Sequence, residues 1–104
     1  MQLPILIHKD IDSDYSVTIP DLPGCFTAGS TIEQAMTMAQ EAAICHIEGM
    51  LIDGESMPLV SPIMMHQKNP DYTSGFWALV EIDLAKLSTS FISENFHNKT
   101  YQSI

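Results

Sequence analysis

Residues 20–31 read Pro-Asp-Leu-Pro-Gly-Cys-Phe-Thr-Ala-Gly-Ser-Thr and carry the strongest local structural signals in the chain. Pro23 and Gly24 suit the two central positions of a type II turn, because proline presets φ and glycine adopts positive φ without strain. Ser30 and Glu33 have the spacing of a capping box, in which each side chain accepts a hydrogen bond from a backbone amide. The stretch therefore predicts a chain reversal, a strand and then a helix that begins at Thr31.

Apolar residues alternate with other residues on both sides of this turn, which is typical of β-strands. Four segments show the alternation: residues 3–8, 15–19, 25–29 and 76–83. Pro4 favours either an edge position or a strand start, because proline has no amide to donate. The fourth strand carries apolar residues on both faces, so we expect one face to contact the helix and the other a second subunit or partner.

Between Thr31 and about Leu51 apolar residues recur at steps of three and four, which predicts an amphipathic helix ending at Gly54. Residues 55–75 contain three prolines and little periodicity, so we expect a long surface connection, extended where residues 59–60 and 63–65 find apolar cover. The fold class predicted is α+β, an antiparallel sheet of β-β-β-α-β order with one long helix packed on one face.

The amino-acid composition limits the kinds of partner that the protein is expected to bind. The chain has 104 residues, 13 acidic residues, four lysines, no arginine and a formal net charge of −9. Arginine is the side chain best suited to contact phosphate and guanine, so we expect no direct binding of nucleic acid. A negative field attracts a basic partner instead. No run of apolar residues approaches the length of a membrane span. We therefore expect a cytoplasmic protein that does not contact membranes.

Three carboxylates, Asp10, Asp12 and Asp14, lie in the loop between the first two predicted strands. Their spacing matches the start of a calcium loop, but Tyr15 stands where the sharp turn of such a loop needs glycine. A solvated turn explains them better than a metal site. We predict that these three residues form an electrostatic contact with a lysine-rich partner.

The remaining reactive side chains give no catalytic or metal-binding pattern. Cys25 and Cys45 are expected to be buried, reduced and unreactive, since free cysteine is usually a core residue. The four histidines are scattered, and adjacent Cys45 and His46 cannot face one site on a helix. We therefore predict no catalytic residue, no metal and no cofactor.

The turn stretch resembles the N-terminal domain of the HicB family, the antitoxin half of HicA–HicB toxin–antitoxin pairs. Further similar pieces occur in family order at Lys9 to Tyr15, Thr31 to Ala35, Glu41-Ala42, Asp53 to Glu55 with Pro58, and Val80 to Leu84. The resemblance covers most of residues 3–87. It implies a partial RNase H-like fold and a non-enzymatic antitoxin that neutralises a small, basic HicA-like mRNA ribonuclease by covering its RNA-binding and catalytic face.

The resemblance also divides the chain into a HicB-like antitoxin domain at residues 1–87 and a short tail at residues 88–104. HicB proteins usually continue into a ribbon-helix-helix or helix-turn-helix segment, whereas this tail has Lys99 as its one cation and is too short for such a segment. We therefore expect no complete DNA-binding domain. We also expect a homodimer or homotetramer, formed through the sheet edge or the exposed side of the fourth strand at Trp77 and Leu79.

Two alternatives from other classes stay open on the sequence. One is a stand-alone oligomerisation or small-ligand module that kept the HicB fold. The other is a metal-dependent nuclease, because RNase H-like chemistry needs converging carboxylates. Its candidate ligands are Asp10, Asp21, Glu48 and Asp83.

Overall fold

The computed structural model describes residues 1–9 and 11–85. Its elements are β1 (Gln2–Lys9), β2 (Tyr15–Thr18), β3 (Phe26–Gly29), α1 (Ile32–Ile52), α2 (Ile63–His66), a 3₁₀ helix (Pro70–Tyr72) and β4 (Phe76–Glu81). The strands form one antiparallel sheet in the order β3-β2-β1-β4. The predicted α+β fold is therefore confirmed. The predicted boundary at residue 87 and the tail lie outside the described residues.

The core lies between one face of the sheet and α1. Residues Leu3, Ile5 and Ile7 of β1 point toward the helix and are fully buried. The helix meets them with a stripe at four-residue spacing, which consists of Ala35, Ala39, Ala43 and Ile47. Alanine at three of these positions lets the helix axis lie close to the sheet. Within the described residues, no helix is both long enough and apolar enough to cross a membrane.

At Gly29 the sheet lies close to the backbone of the helix. A Cβ atom built at this glycine would strike the backbone nitrogen of Ala35 and lie 2.7 Å from its Cα. Because both obstacles belong to the backbone, no side-chain rotation relieves them. The first turn of α1 therefore rests directly on the end of β3.

The second face of the sheet is covered by the connection of residues 55–75. Pro4 and Leu6 of β1 are buried on this face, opposite Leu79 and Trp77 of β4. The predicted extended segment at residues 63–65 is instead part of α2. This correction follows from hydrogen bonding, because the backbone of the helical turn satisfies its own groups where no neighbouring strand is available.

Pro4 lies near the start of β1, which is one of the two positions predicted for it, and β1 is a central strand, which rules out the other, an edge strand. Met1 and Ile82 exchange two backbone hydrogen bonds of 3.2 and 2.7 Å, so alternation directs the nitrogen of Pro4 away from β4 and toward the β2 side. Pairing with β2 begins only at Leu6. The proline therefore occupies a stretch of β1 that has a neighbour on one side only.

The predicted type II turn is confirmed. The Cys25 amide donates to the Leu22 carbonyl at 3.0 Å, and Gly24 has φ of 85°. A second turn precedes it, closed by a 2.9 Å bond from the Leu22 amide to the Ile19 carbonyl. The predicted helix stop at Gly54 is also confirmed, since this residue has φ of 86° and follows the last helical turn.

The capping box of α1 is shifted by one residue from the prediction. Thr31 is the N-cap, and its hydroxyl accepts from the Gln34 amide at 3.0 Å. The Gln34 side chain reaches back and accepts from the Ser30 amide at 2.6 Å and from the Ser30 hydroxyl at 2.7 Å. Glu33 takes no part in these bonds, and the helix begins at Ile32.

Replacing Thr31 by alanine tests this capping register. We expect the free energy of unfolding to fall by about 1 kcal/mol, because an amide of the first turn loses its acceptor. Glu33→Ala is the matched control and should change stability by less than about 0.5 kcal/mol. Urea unfolding followed by circular dichroism measures both variants. A larger loss of stability in the Glu33 variant than in the Thr31 variant would support the predicted capping box of Ser30 and Glu33.

Candidate partner-binding surfaces

The first candidate surface is the acidic tip, the loop of residues 10–14 between β1 and β2. Asp12 and Asp14 are exposed, and Asp12 has φ of 62° in the left-handed region. Ile11 is 93% exposed beside them. Asp10, the third residue predicted here, lies outside the described residues. The structure thus displays two of the predicted carboxylates together with an unpredicted apolar side chain.

The base of the acidic tip is held by the two strands that enter it. Lys9 and Tyr15 are cross-strand partners, and the Lys9 ammonium lies 5.5 Å from the centroid of the Tyr15 ring. This distance is within the range of a cation–π contact. The nearest lysine is therefore held at the root of the loop, while the carboxylates occupy its end.

A second acidic surface, which sequence reasoning missed, is the acidic groove between α1 and the end of β4. It has a volume of about 250 Å³ and is lined by Thr37, Gln40, Glu41, Ile44, Glu81 and Asp83. Gln40 Nε2 donates to the Glu81 carbonyl at 2.8 Å and ties the helix to the strand. Glu81 also accepts from the N-terminal ammonium at 2.8 Å, but its side chain is 61% exposed, so water screens this pair.

Asp21, from the turn stretch, is a structural anchor. Its side chain is only 4% exposed, and Oδ1 lies 3.0 Å from His66 Nε2. Oδ2 accepts from the Ser61 amide at 3.2 Å. One carboxylate thereby holds two points of the connection against the turn. Sequence reasoning placed Asp21 only in a turn, because a contact across 45 residues leaves no periodic signal.

An aromatic cluster holds the connection to the second face of the sheet. The His66 ring stacks on Trp77 with centroids 5.9 Å apart and planes at 13°. Tyr72 meets Trp77 edge-on at 6.0 Å and 88°. Trp77 is therefore partly covered within its own chain, whereas Leu79, the other residue predicted at an oligomer interface, is 46% exposed.

An apolar cleft of about 430 Å³ adjoins Leu79 on the same face. It is lined by Gln2, Pro4, Val60, Ser61, Pro62, Ile63 and Leu79. Two further apolar side chains of the connection, Leu59 and Met64, are 90% and 66% exposed. The edge of the sheet at β4 is thus flanked by exposed apolar surface.

The two cysteines differ in their exposure to solvent. Cys25 is buried, and desolvation together with the nearby Cys45 raises the pKa of its thiol above the ordinary value. A raised pKa keeps the thiol protonated, whereas nucleophilic chemistry requires the thiolate. Cys45 is exposed, which corrects the expectation that both cysteines are buried. The correction follows from its place on α1, away from the stripe that contacts the sheet.

The carboxylates considered for a nuclease do not converge in the described part of the chain. No three histidine, cysteine or acidic side chains lie close enough to hold a metal ion within residues 1–9 and 11–85. Asp21 is committed to His66 and Ser61, and Asp10 falls outside that part of the chain. A two-metal site at these positions therefore has no support from the geometry.

The anchoring role of Asp21 is testable by Asp21→Ala. We expect a loss of about 1–3 kcal/mol in unfolding free energy, because the Ser61 amide and His66 lose their acceptors. Trp77 is the only tryptophan, so its emission should shift to longer wavelength as the stacked connection loosens. The control Asp71→Ala removes an exposed carboxylate from the same connection and should leave both readouts unchanged. Wild-type emission and stability in the Asp21 variant would contradict the role.

The structure is a small α+β domain that exposes acidic and apolar surfaces. A family profile described as "HicB_like antitoxin of bacterial toxin-antitoxin system" matches residues 3–97. The chain therefore belongs to the HicB-like antitoxin family, as the resemblance of the turn stretch predicted.

Individual relatives agree with this assignment. A 14.9 kDa protein of unassigned function from the rep-hol intergenic region of Haemophilus phage HP1 is 44% identical over 84% of this chain and 65% of its own length. The antitoxin HicB of Burkholderia pseudomallei matches with a TM-score of 0.77 and 38% identity, over 86% of this chain and 68% of that one. A chain from the HicA3–HicB3 toxin–antitoxin complex matches with a TM-score of 0.66 and 31% identity, over 80% of this chain and 99% of that one.

Proposed function

We propose that this protein is the antitoxin of a toxin–antitoxin pair and that it captures a small, basic HicA-like ribonuclease. The family match over residues 3–97 carries the proposal. A solved relative comes from a complex of a HicA toxin with a HicB antitoxin, which supports a partner of the same kind. On this proposal the protein acts by binding alone and catalyses no reaction.

The charge distribution supports a basic partner. Nine carboxylate residues of the described chain are exposed, namely Asp12, Asp14, Glu33, Glu41, Asp53, Glu55, Asp71, Glu81 and Asp83. Lys9 and Lys68 are the lysines of that part of the chain, and Lys9 is held over Tyr15. A ribonuclease must present positive charge to the phosphates of its substrate. The acidic tip and the acidic groove therefore complement the surface on which RNA would bind.

The antitoxin then neutralises the toxin by excluding messenger RNA from it. Carboxylates that take the positions of RNA phosphates increase the association rate, since complementary charge steers diffusional encounter. Ile11 gives the acidic tip an apolar anchor, and burying a side chain of this size contributes about 1.5–3 kcal/mol. The bound antitoxin would cover the catalytic side chain of the toxin and keep messenger RNA away from it.

Charge reversal at the acidic tip tests this proposal. The toxin is obtained by co-expressing the adjacent reading frame and recovering the complex on tagged antitoxin. We expect Asp12→Lys with Asp14→Lys to lower the association rate roughly 10- to 100-fold at about 50 mM salt, and to flatten its dependence on salt. Biolayer interferometry at several salt concentrations measures both quantities.

The matched control is Asp53→Lys with Glu55→Lys. These exposed residues follow α1, and their reversal changes the net charge by the same amount. An equal loss in both double variants would assign the effect to net charge and remove the acidic tip from the interface. Failure of the wild type to recover any basic protein would overturn the proposed function and favour a stand-alone oligomerisation or small-ligand module.

We also propose that the protein does not bind nucleic acid directly. The whole chain has four lysines and no arginine against 13 acidic residues, so phosphate contacts would meet repulsion. We expect a Kd for duplex DNA weaker than about 10⁻⁴ M at physiological salt, measured by fluorescence anisotropy of a labelled duplex. Micromolar binding would contradict this expectation, and competition by unlabelled duplex would verify that the binding is real.

A further inference from the structure

Among the described residues, the cover over the second sheet face stops short of β3. A row of four side chains crosses this face, one from each strand: Phe26, Thr18, Leu6 and Trp77. Leu6 is fully buried under the connection of residues 55–75, whereas Phe26 at the end of the row is 67% exposed. A single exposed apolar side chain is common on protein surfaces, so its surroundings decide whether it marks a contact surface.

Phe26 lines a pocket of about 270 Å³, which we call the Phe26 pocket. The other walls include an aromatic ring, a carboxylate and smaller groups, from Tyr72, Asp71, His8, Thr18 and Pro23. This volume lies just below the range of about 300–1,000 Å³ that is typical of small-molecule sites. The pocket is therefore better suited to one long side chain of a protein partner than to a cofactor.

Hydrogen bonds hold both walls of the Phe26 pocket. One wall is formed by the two successive turns of residues 19–25. The other is the 3₁₀ helix, in which the Asp71 amide donates to Asn69 Oδ1 at 2.9 Å and the Tyr72 amide donates to the Asn69 carbonyl at 3.0 Å. Walls that are fixed before binding lose little conformational entropy when the pocket is filled.

The charge of the Fhe26 pocket favours a cation. Asp71 is exposed and is the one acidic residue among those that line the pocket, and none of them is lysine. Aromatic ring faces attract positive charge, and a carboxylate forms strong hydrogen bonds with a charged donor. A carboxylate beside two aromatic rings is therefore a suitable site for a positively charged side chain.

Arginine suits this site better than lysine. Its planar guanidinium can stack on an aromatic ring and at the same time pair with a carboxylate through two parallel hydrogen bonds. The lysine ammonium is compact and strongly hydrated, so it loses more on leaving water. The whole chain contains no arginine. A guanidinium in this pocket must therefore come from a different protein, which excludes a second copy of this chain.

We propose that the Phe26 pocket receives an arginine side chain of the basic partner, with the guanidinium against Phe26 and its N–H groups toward Asp71. The inference rests on the proposed function for the nature of that partner. The acidic tip increases the rate of encounter, whereas a side chain inserted in a pocket must leave it before the complex separates. The pocket therefore controls the dissociation rate rather than the association rate.

Two pocket variants test this division with the co-expressed toxin. We expect Phe26→Ala and Asp71→Asn each to raise the dissociation rate roughly 10- to 100-fold and to change the association rate less than about threefold. The matched controls are Phe76→Ala, at an exposed position on β4, and Asp53→Asn, at an exposed position after α1. Both controls should dissociate like the wild type. Biolayer interferometry measures both rates.

The outcomes separate the pocket from the proposed function. Wild-type dissociation rates in both pocket variants would overturn the pocket while capture of the toxin left the proposed function standing. An equal increase in the pocket variants and their controls would also overturn it. Circular dichroism of each variant verifies the fold, which Phe26→Ala should retain because this side chain is largely exposed.

A guanidinium probe tests the pocket without the toxin. N-acetyl-arginine amide, added to the isotope-labelled full chain up to about 20 mM, should shift the amide resonances of Gly24, Phe26 and Tyr72 with a millimolar Kd. N-acetyl-citrulline amide has nearly the same shape without the charge and should cause no such shift. Asp71→Asn should abolish the response to the arginine probe.

The same titration can contradict the proposal in three ways. An equal response to the citrulline probe would remove charge recognition, and shifts confined to the acidic groove would place the guanidinium elsewhere. A stronger response to N-acetyl-lysine amide would replace arginine by lysine as the occupant. Since the titration needs no toxin, a response at the pocket would support the site even if the wild type captured no basic protein.

Discussion

The fold depends on the burial of β1 on both faces. Residues 3–7 of this strand are buried in succession, so cover on one face alone would leave apolar side chains in water. The long helix covers one face, and the connection of residues 55–75 covers the other. Since that connection has no long element of its own, it must be held in place. The anchor is Asp21, whose carboxylate binds the Ser61 amide and His66. The turn stretch therefore both reverses the chain and fixes the layer that completes the core.

The features that were predicted correctly from the sequence are those that neighbouring residues determine. A type II turn, a glycine stop and a three-to-four residue periodicity each arise within a few residues, and the structure confirms them. The capping register was wrong because Ser30 and Thr31 precede Glu33 and Gln34, and both pairs fit the same motif. Residues 3–7 are all apolar, which is typical of a strand that is covered on both faces. An interpretation based on alternation alone overlooks this. The Asp21–His66 contact had no such signal.

The two acidic surfaces also differ in whether the sequence reveals them. Asp12 and Asp14 are visible as a candidate contact because they lie two residues apart in one loop. The acidic groove joins a helix residue, Glu41, to Glu81 and Asp83 at the end of the last strand, and only the tertiary structure brings them together. The fold also places the acidic and the apolar surfaces in different parts of the domain. Carboxylates occupy the acidic tip, α1 and the end of β4 at Glu81, while residues 76–80 of β4 and the apolar cleft beside them are uncharged.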